Sequence, residues 1–153
     1  MMETQTATFK KTRATVIRES VKLRIATSED GPRLEALFKM NNVVFPLANW
    51  ETVSPHWLIA TVDDEVIGCL LVVTARPVGL LEFLLVKPTV KFKLRAIAMQ
   101  KLALLGATTL REYGCAYLSC IVVAENKPFF DVLKKYGFME AAPATVMVKR
   151  LKD

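Results

Sequence analysis

The sequence predicts a single α/β domain with a mixed central sheet of about six to seven strands, flanked by about three to four helices. Two observations carry this. Short apolar segments bounded by Pro, Gly and Asp alternate along the chain with segments of helical period. The 153 residues, 52% of them hydrophobic, suit one domain with a sizeable core and leave little room for a second.

Residues 1–20 are polar without a clear period and are expected to form a flexible, basic arm, with the folded domain over 21–153. Val21 to Ala26 alternates Val21, Leu23 and Ile25 against Lys22 and Arg24, the period of a half-buried strand. Thr27 and Ser28 then offer an N-cap, and Glu29 and Asp30 suit the positive end of a helix dipole. Leu34, Leu37 and Phe38 mark that helix's buried face. Asn41 to Pro55 reads as a loop. Trp57 to Val62 and Val66 to Thr74 make a hairpin across Asp63-Asp64-Glu65. Leu80 to Val86 is a strand apolar enough for burial on both faces, interrupted by Glu82. Lys91 to about Tyr113 is the longest helix, with Leu94, Ala98, Leu102 and Leu105 as its core stripe and Gly114 closing it. Tyr117 to Val123 is a further buried strand. Lys127 to Tyr136 is a helix with Pro128 early and Gly137 as its stop. Thr145 to Leu151 is the last strand.

The formal charge of +6 gathers in three places: the first twenty residues, Lys87 to Arg95, and Lys149 to Lys152. A basic balance points to an anionic cofactor, an acidic partner or nucleic acid. Nucleic acid ranks last, because aromatics do not interleave with the basic clusters and no zinc, helix-turn-helix or RNP-type signature is present. The cysteines Cys69, Cys115 and Cys120 are odd in number, and their spacing fits no zinc site, so no metal is expected. They read as buried thiols of a reducing, cytoplasmic compartment. No apolar run is long enough to span a membrane, and no signal-peptide core precedes the domain.

Four stretches in this order resemble the GNAT acyltransferase superfamily. They are LRIATSEDGPRLEAL (Leu23 to Leu37), HWLIATVDDEVIGCLLVV (His56 to Val73), LLVKPTVKFKLRA (Leu84 to Ala96) and NKPFFDVLKKYGF (Asn126 to Phe138). The chain is also loosely similar to GNAT-like proteins encoded by tailed phages. The resemblance implies that the fourth and fifth strands splay apart and that acetyl-CoA lies between them as co-substrate. It implies pantetheine along the backbone of Leu84, Leu85 and Val86, and pyrophosphate at the start of the long helix, over Lys91, Phe92, Lys93, Leu94, Arg95 and Ala96. Asn126 and Phe129 would complete the cofactor contacts. A helix N-terminus favours an anion on independent physical grounds, through its free N–H groups and dipole.

Two positions depart from the family pattern. The central glycine of the phosphate loop is Leu94, whose side chain either blocks close approach or points into the core. Either Lys87, Lys91, Lys93 and Arg95 replace backbone contacts with charge, or they are a solvated helix start. The tyrosine that many members place seven residues after the asparagine is Leu133, so Tyr136, one turn on, is the candidate acid, with Tyr117 and Cys120 behind it. Glu82, the only acid in an apolar strand, is the candidate base for a primary amine acceptor of unknown identity; it points either into the site or to solvent or a lysine. His56, the only histidine, reads as a rim residue. Phe45 and Trp50 either line an acceptor pocket or cover the core. The function implied is acetyl transfer from acetyl-CoA to that amine. The alternative is a GNAT-like domain that binds CoA or a protein partner without turnover, with the basic arm as docking segment; a homodimer also fits.

Overall fold

The computed structural model describes residues 13–43, 56–122 and 127–142. Helix α1 (Arg13–Ser20) leads into β1 (Lys22–Ile25), a single 3-10 turn (Ser28–Asp30) and α2 (Gly31–Met40). Then come β2 (Trp57–Val62), β3 (Glu65–Ala75), β4 (Val78–Val86), α3 (Phe92–Glu112), β5 (Tyr117–Cys120) and α4 (Lys127–Lys135). The strands form one five-stranded mixed sheet in the order β1-β2-β3-β4-β5. The first three pairings are antiparallel and β4 pairs with β5 in parallel. A parallel pair needs a long crossover, and the 21-residue α3 supplies it. The count falls short of six to seven, and the expected strand Thr145 to Leu151 lies outside the described residues.

The sheet is covered on both faces. Leu58 and Ala60 of β2 pack toward α3, while Trp57 and Ile59 pack toward α2. That two-sided burial is why β2 reads as a continuous apolar run. The stripe of α3 is Ala98, Leu102, Gly106 and Leu110, all buried, at strict four-residue spacing. Leu94 and Leu105 only flank it. Gly106 belongs to the stripe because the helix touches the sheet there: a Cβ would stand 2.8 Å from side-chain carbons of Leu70 and Leu81. The hairpin turn falls at Asp63 and Asp64, both in left-handed conformation (φ 49° and 63°), as a two-residue turn requires. Gly114 and Gly137 terminate α3 and α4 with φ near +83° and +84°, as expected of C′ glycines.

Three expectations are corrected. Residues 13–20 are not a loose arm but helix α1. The Lys101 ammonium of α3 donates to the carbonyls of Arg18 (2.9 Å) and Val21 (2.5 Å), a cation at the C-terminal end of α1; residues 1–12 lie outside the described residues. Ile25 is 59% exposed: among the described residues β1 pairs on one side only, and Ala26 turns inward in its place, its N–H bonded to Trp57 O. β5 is not fully buried: among the described residues it pairs on one side only, and Tyr117 is 68% exposed. The three thiols are free, with Cys69 buried and Cys115 and Cys120 half-buried.

The turn from β1 into α2 is held by a buried carboxylate. Asp30 accepts from Arg24 Nη1 (2.6 Å) and Nη2 (2.8 Å), from the Thr27 backbone N–H (2.8 Å) and from the Thr27 hydroxyl (3.2 Å). The Arg24 hydrogen bond and those from Thr27 outweigh the cost of burial and hold the Asp30 pKa down at about 2, against an ordinary 3.8. A depressed folded-state pKa means that the stabilisation is complete above the unfolded value and is lost as pH falls from about 4 through 2. Urea denaturation at pH 5 and pH 2 should show a loss of about 2 kcal/mol from this group. Asp30→Asn should be less stable at pH 5 and should lack that part of the acid dependence.

Candidate functional site: the opening between β4 and β5

The site begins where β4 loses step with its neighbours. Across the β3–β4 ladder Cys69 faces Leu85, yet Leu71 faces Glu82, so β4 spends one extra residue. Leu81, Leu84 and Val86 pack toward α3, whereas Phe83 and Leu85 pack toward α2. Alternation from Leu81 would have sent Phe83 to the α3 side, so the phase slips at Glu82 and Phe83. Phe83 absorbs the slip with φ 51°, a conformation that a bulky side chain adopts at a cost of about 1–2 kcal/mol. Its ring is held by Phe38 (centroids 5.7 Å, edge-on) and Trp57 (6.1 Å), contacts that offset the strain.

The bulge coincides with the end of the other ladder. β4 and β5 pair from Val78↔Tyr117 to Leu81↔Cys120 and no further among the described residues. Among the described residues the β5 ladder thus stops short of the segment 82–86. Lys87 N–H donates to Ile67 O at 2.7 Å, which makes the adjacent Gly68↔Val86 pair one of the non-hydrogen-bonded kind. The N–H and C=O of Val86 thus point away from β3, toward the opening. The carbonyl is met from α2 by Asn41 Nδ2 at 3.2 Å.

Beyond Val86 the chain turns through Pro88 and Thr89 into α3. Arg95 N–H finds Lys91 O at 3.0 Å as the first helical bond, and no side chain caps the start. The preceding N–H groups are the donors that a helix N-terminus leaves without an intrahelical partner. Lys91, Lys93 and Ala96 are exposed, and Phe92 is 73% exposed. The Arg95 guanidinium lies 5.8 Å from the Phe92 ring centroid, and its buried Nε has no partner among the described residues. Leu94 packs against the α3-side core. Of the two alternatives open for Leu94, the side chain takes the inward one, so it leaves the helix start uncovered. Leu94→Gly should accordingly destabilise the fold by about 2–3 kcal/mol, through lost core contact and helix propensity. It should not tighten acetyl-CoA binding; denaturation and calorimetry of the variant test both halves.

The structure brings Glu82, Leu84, Leu85, Val86 and the start of α3 into one continuous edge. Glu82 is half-buried, at the slip itself. Lys87 is withdrawn from the basic cluster, because its ammonium is paired with Glu65. Tyr136 is not brought to the opening: it is exposed and accepts from Gln100 Nε2 at 2.7 Å, more than two turns along α3 from its start. Leu133, where the family's tyrosine would stand, is the buried residue of α4. Phe129 is half-buried on α4, while Asn126, Phe45 and Trp50 lie outside the described residues. Cys120, last residue of the parallel ladder, has its thiol pKa raised by burial, and burial pushes Cys69 up to about 12, so neither is poised as a thiolate. Among the described residues no cluster of three His, Cys, Asp or Glu stands ready for a metal, and no helix is long and apolar enough to cross a membrane. A separate open groove of about 310 Å³, lined by Arg33, Met40, Asp64, Glu65 and Lys87 among others, lies between α2 and the β2–β3 turn.

Two features were invisible to the sequence: the bulge at Phe83 and the reach of Asn41. In a strand apolar on both faces, alternation carries no phase, so a slip leaves no mark. The single trace is Glu82, the polar residue at the slip.

No protein-family model matches the chain, and no curated protein aligns with its sequence. Solved structures do match. An aminoglycoside N-acetyltransferase in complex with CoA superposes with TM-score 0.66 at 19% identity, over 86% of this chain and 95% of that one. A transcriptional regulator from Bacillus halodurans gives TM-score 0.69 at 11% identity, over 84% and 99%. N-acetylglutamate synthase from Neisseria gonorrhoeae, complexed with coenzyme A and L-arginine, gives 0.62 at 20% identity over 73% of this chain; the chain spans only 26% of that protein. These likenesses define the class of protein at the level of fold alone: the chain has the fold of a single GNAT-like α/β domain.

Proposed function

We propose that the chain is an acyltransferase that binds acetyl-CoA between β4 and β5 and passes the acetyl group to a primary amine. The observation that carries this reading is the coincidence of the bulge with the end of the β4–β5 ladder, which leaves the backbone of Val86 directed into the opening. Pantetheine would lie along Leu84, Leu85 and Val86. The pyrophosphate would meet the free N–H groups at the start of α3, with charge from Lys91, Lys93 and Arg95. Asn126 and Phe129 would flank the chain of the cofactor. That structural neighbours were solved with CoA supports the same reading.

In the reaction, the amine nitrogen attacks the thioester carbonyl carbon, a C–N bond forms and the C–S bond breaks. The Val86 N–H would stabilise the oxyanion. Glu82 takes the proton from the amine, directly or through one water. The departing CoA thiolate takes its proton from solvent, since Leu133 carries none and Tyr136 is engaged with Gln100. Binding both substrates in one opening supplies much of the rate. Leu133 also favours a second reading, a domain that binds CoA without turnover.

Calorimetric titration with acetyl-CoA, followed by an amine screen for release of free thiol, separates the two. Micromolar binding with thiol release supports the enzyme. Binding with no release from any amine supports the binding-only domain. No binding at millimolar acetyl-CoA sinks both.

A further inference from the structure

We infer that Asn41 and Cys69 are positioning residues for this site: from α2 and β3 they clamp the two ends of the β4 bulge and set the direction of the Val86 peptide groups. The inference rests on the acetyl-CoA reading for its functional meaning, though the clamp itself is a property of the free protein.

The bulge puts β4 out of register with β3, so the carbonyls around it need partners that a regular ladder would have supplied. At its near end, the Phe83 carbonyl accepts from Cys69 Sγ at 3.6 Å. Cys69 is fully buried and has no part in the chemistry proposed above. At its far end, Asn41 Nδ2 donates to Val86 O at 3.2 Å and to Leu37 O at 2.9 Å. One amide group therefore ties the last turn of α2 to the edge of the sheet. The peptide that follows Val86 is pinned on both sides, its oxygen by Asn41 and its N–H by Ile67 O. With the carbonyl so engaged, the open edge of Val86 offers a ligand its N–H, the group an oxyanion needs.

The test compares wild type with Asn41→Ala, Cys69→Ala and Cys69→Ser. Amide hydrogen exchange of the free protein is followed at residues 82–87 and across β2 and β3, and acetyl-CoA affinity is measured by calorimetry. Asn41→Ala and Cys69→Ala should each speed exchange at 82–87 about fivefold to tenfold and weaken acetyl-CoA binding by a similar factor. Amides of β2 and β3 should change little. Cys69→Ser keeps a donor for Phe83 O and should restore both readouts. Unchanged exchange at 82–87, or an equal rise across β2 and β3, would overturn the clamp. Faster local exchange in a protein whose wild type fails to bind acetyl-CoA would uphold the clamp and remove the acyltransferase reading instead.

Discussion

Gly106→Leu is expected to cost the domain at least about 3 kcal/mol and to leave it largely unfolded near physiological temperature. Gly106 is the point of closest approach between α3 and the sheet. A Cβ there already meets side-chain carbons of Leu70 and Leu81 at 2.8 Å, with Val72 at 3.5 Å. Leu70 is fully buried and Leu81 and Val72 nearly so, so the extra carbons of a leucine have no space to enter. The helix would have to lift from the sheet, and that motion would also disturb Gly79, where an added Cβ would lie only 2.6 Å from Leu110. Gly106→Ala makes the informative contrast. Its one carbon meets the flexible ends of two leucines, and the helix gains about 1 kcal/mol of intrinsic propensity, so the net change should lie within about 1 kcal/mol. Urea denaturation of the two variants decides the matter; a stable Gly106→Leu protein would show that α3 is not seated as described.

The second large effect concerns the anion site. Replacing Lys91, Lys93 and Arg95 together by glutamate should weaken acetyl-CoA binding at least about 100-fold, near 2.7 kcal/mol. The same change should leave the fold intact. Lys91 and Lys93 are exposed, Arg95 has no ion-pair partner among the described residues, and acids in the first turn of a helix interact favourably with its dipole. Stability and binding are thus expected to move independently, which a merely structural role for these residues does not produce. Wild-type affinity should also fall with added salt, because Lys91 and Lys93 are solvent-exposed. A variant that binds acetyl-CoA as well as wild type would remove the pyrophosphate from the start of α3, and with it the orientation proposed for the substrate.

Much of this architecture was legible in the residues themselves. Leu34, Leu37 and Phe38 announced the buried face of α2, because a 3.6-residue period survives in any helix that covers a core on one side. The Asp63-Asp64 turn and the glycines at 114 and 137 were legible because few residue types tolerate a positive φ. The basic start of α3 and the candidate base Glu82 were legible as charge in an apolar context. Asp30 was read only as a dipole-compatible acid. Its burial and its bidentate bond to Arg24 depend on the strand that precedes it, which no local pattern encodes.

The sequence by itself determined the order of elements from β1 to α4, most of their apolar faces and the basic entry to the long helix, since each follows from local period, propensity and charge. Tertiary structure decided the rest. It turned Leu94 inward, drew Lys87 to Glu65 and Tyr136 to Gln100, and set the bulge in β4 at Phe83, whose ring it seats against Phe38 and Trp57. Those outcomes are set by which distant side chains arrive at the same place. Among the described residues the slip in the β3–β4 ladder falls where the β4–β5 ladder ends, a coincidence of distant pairings that no local pattern carries.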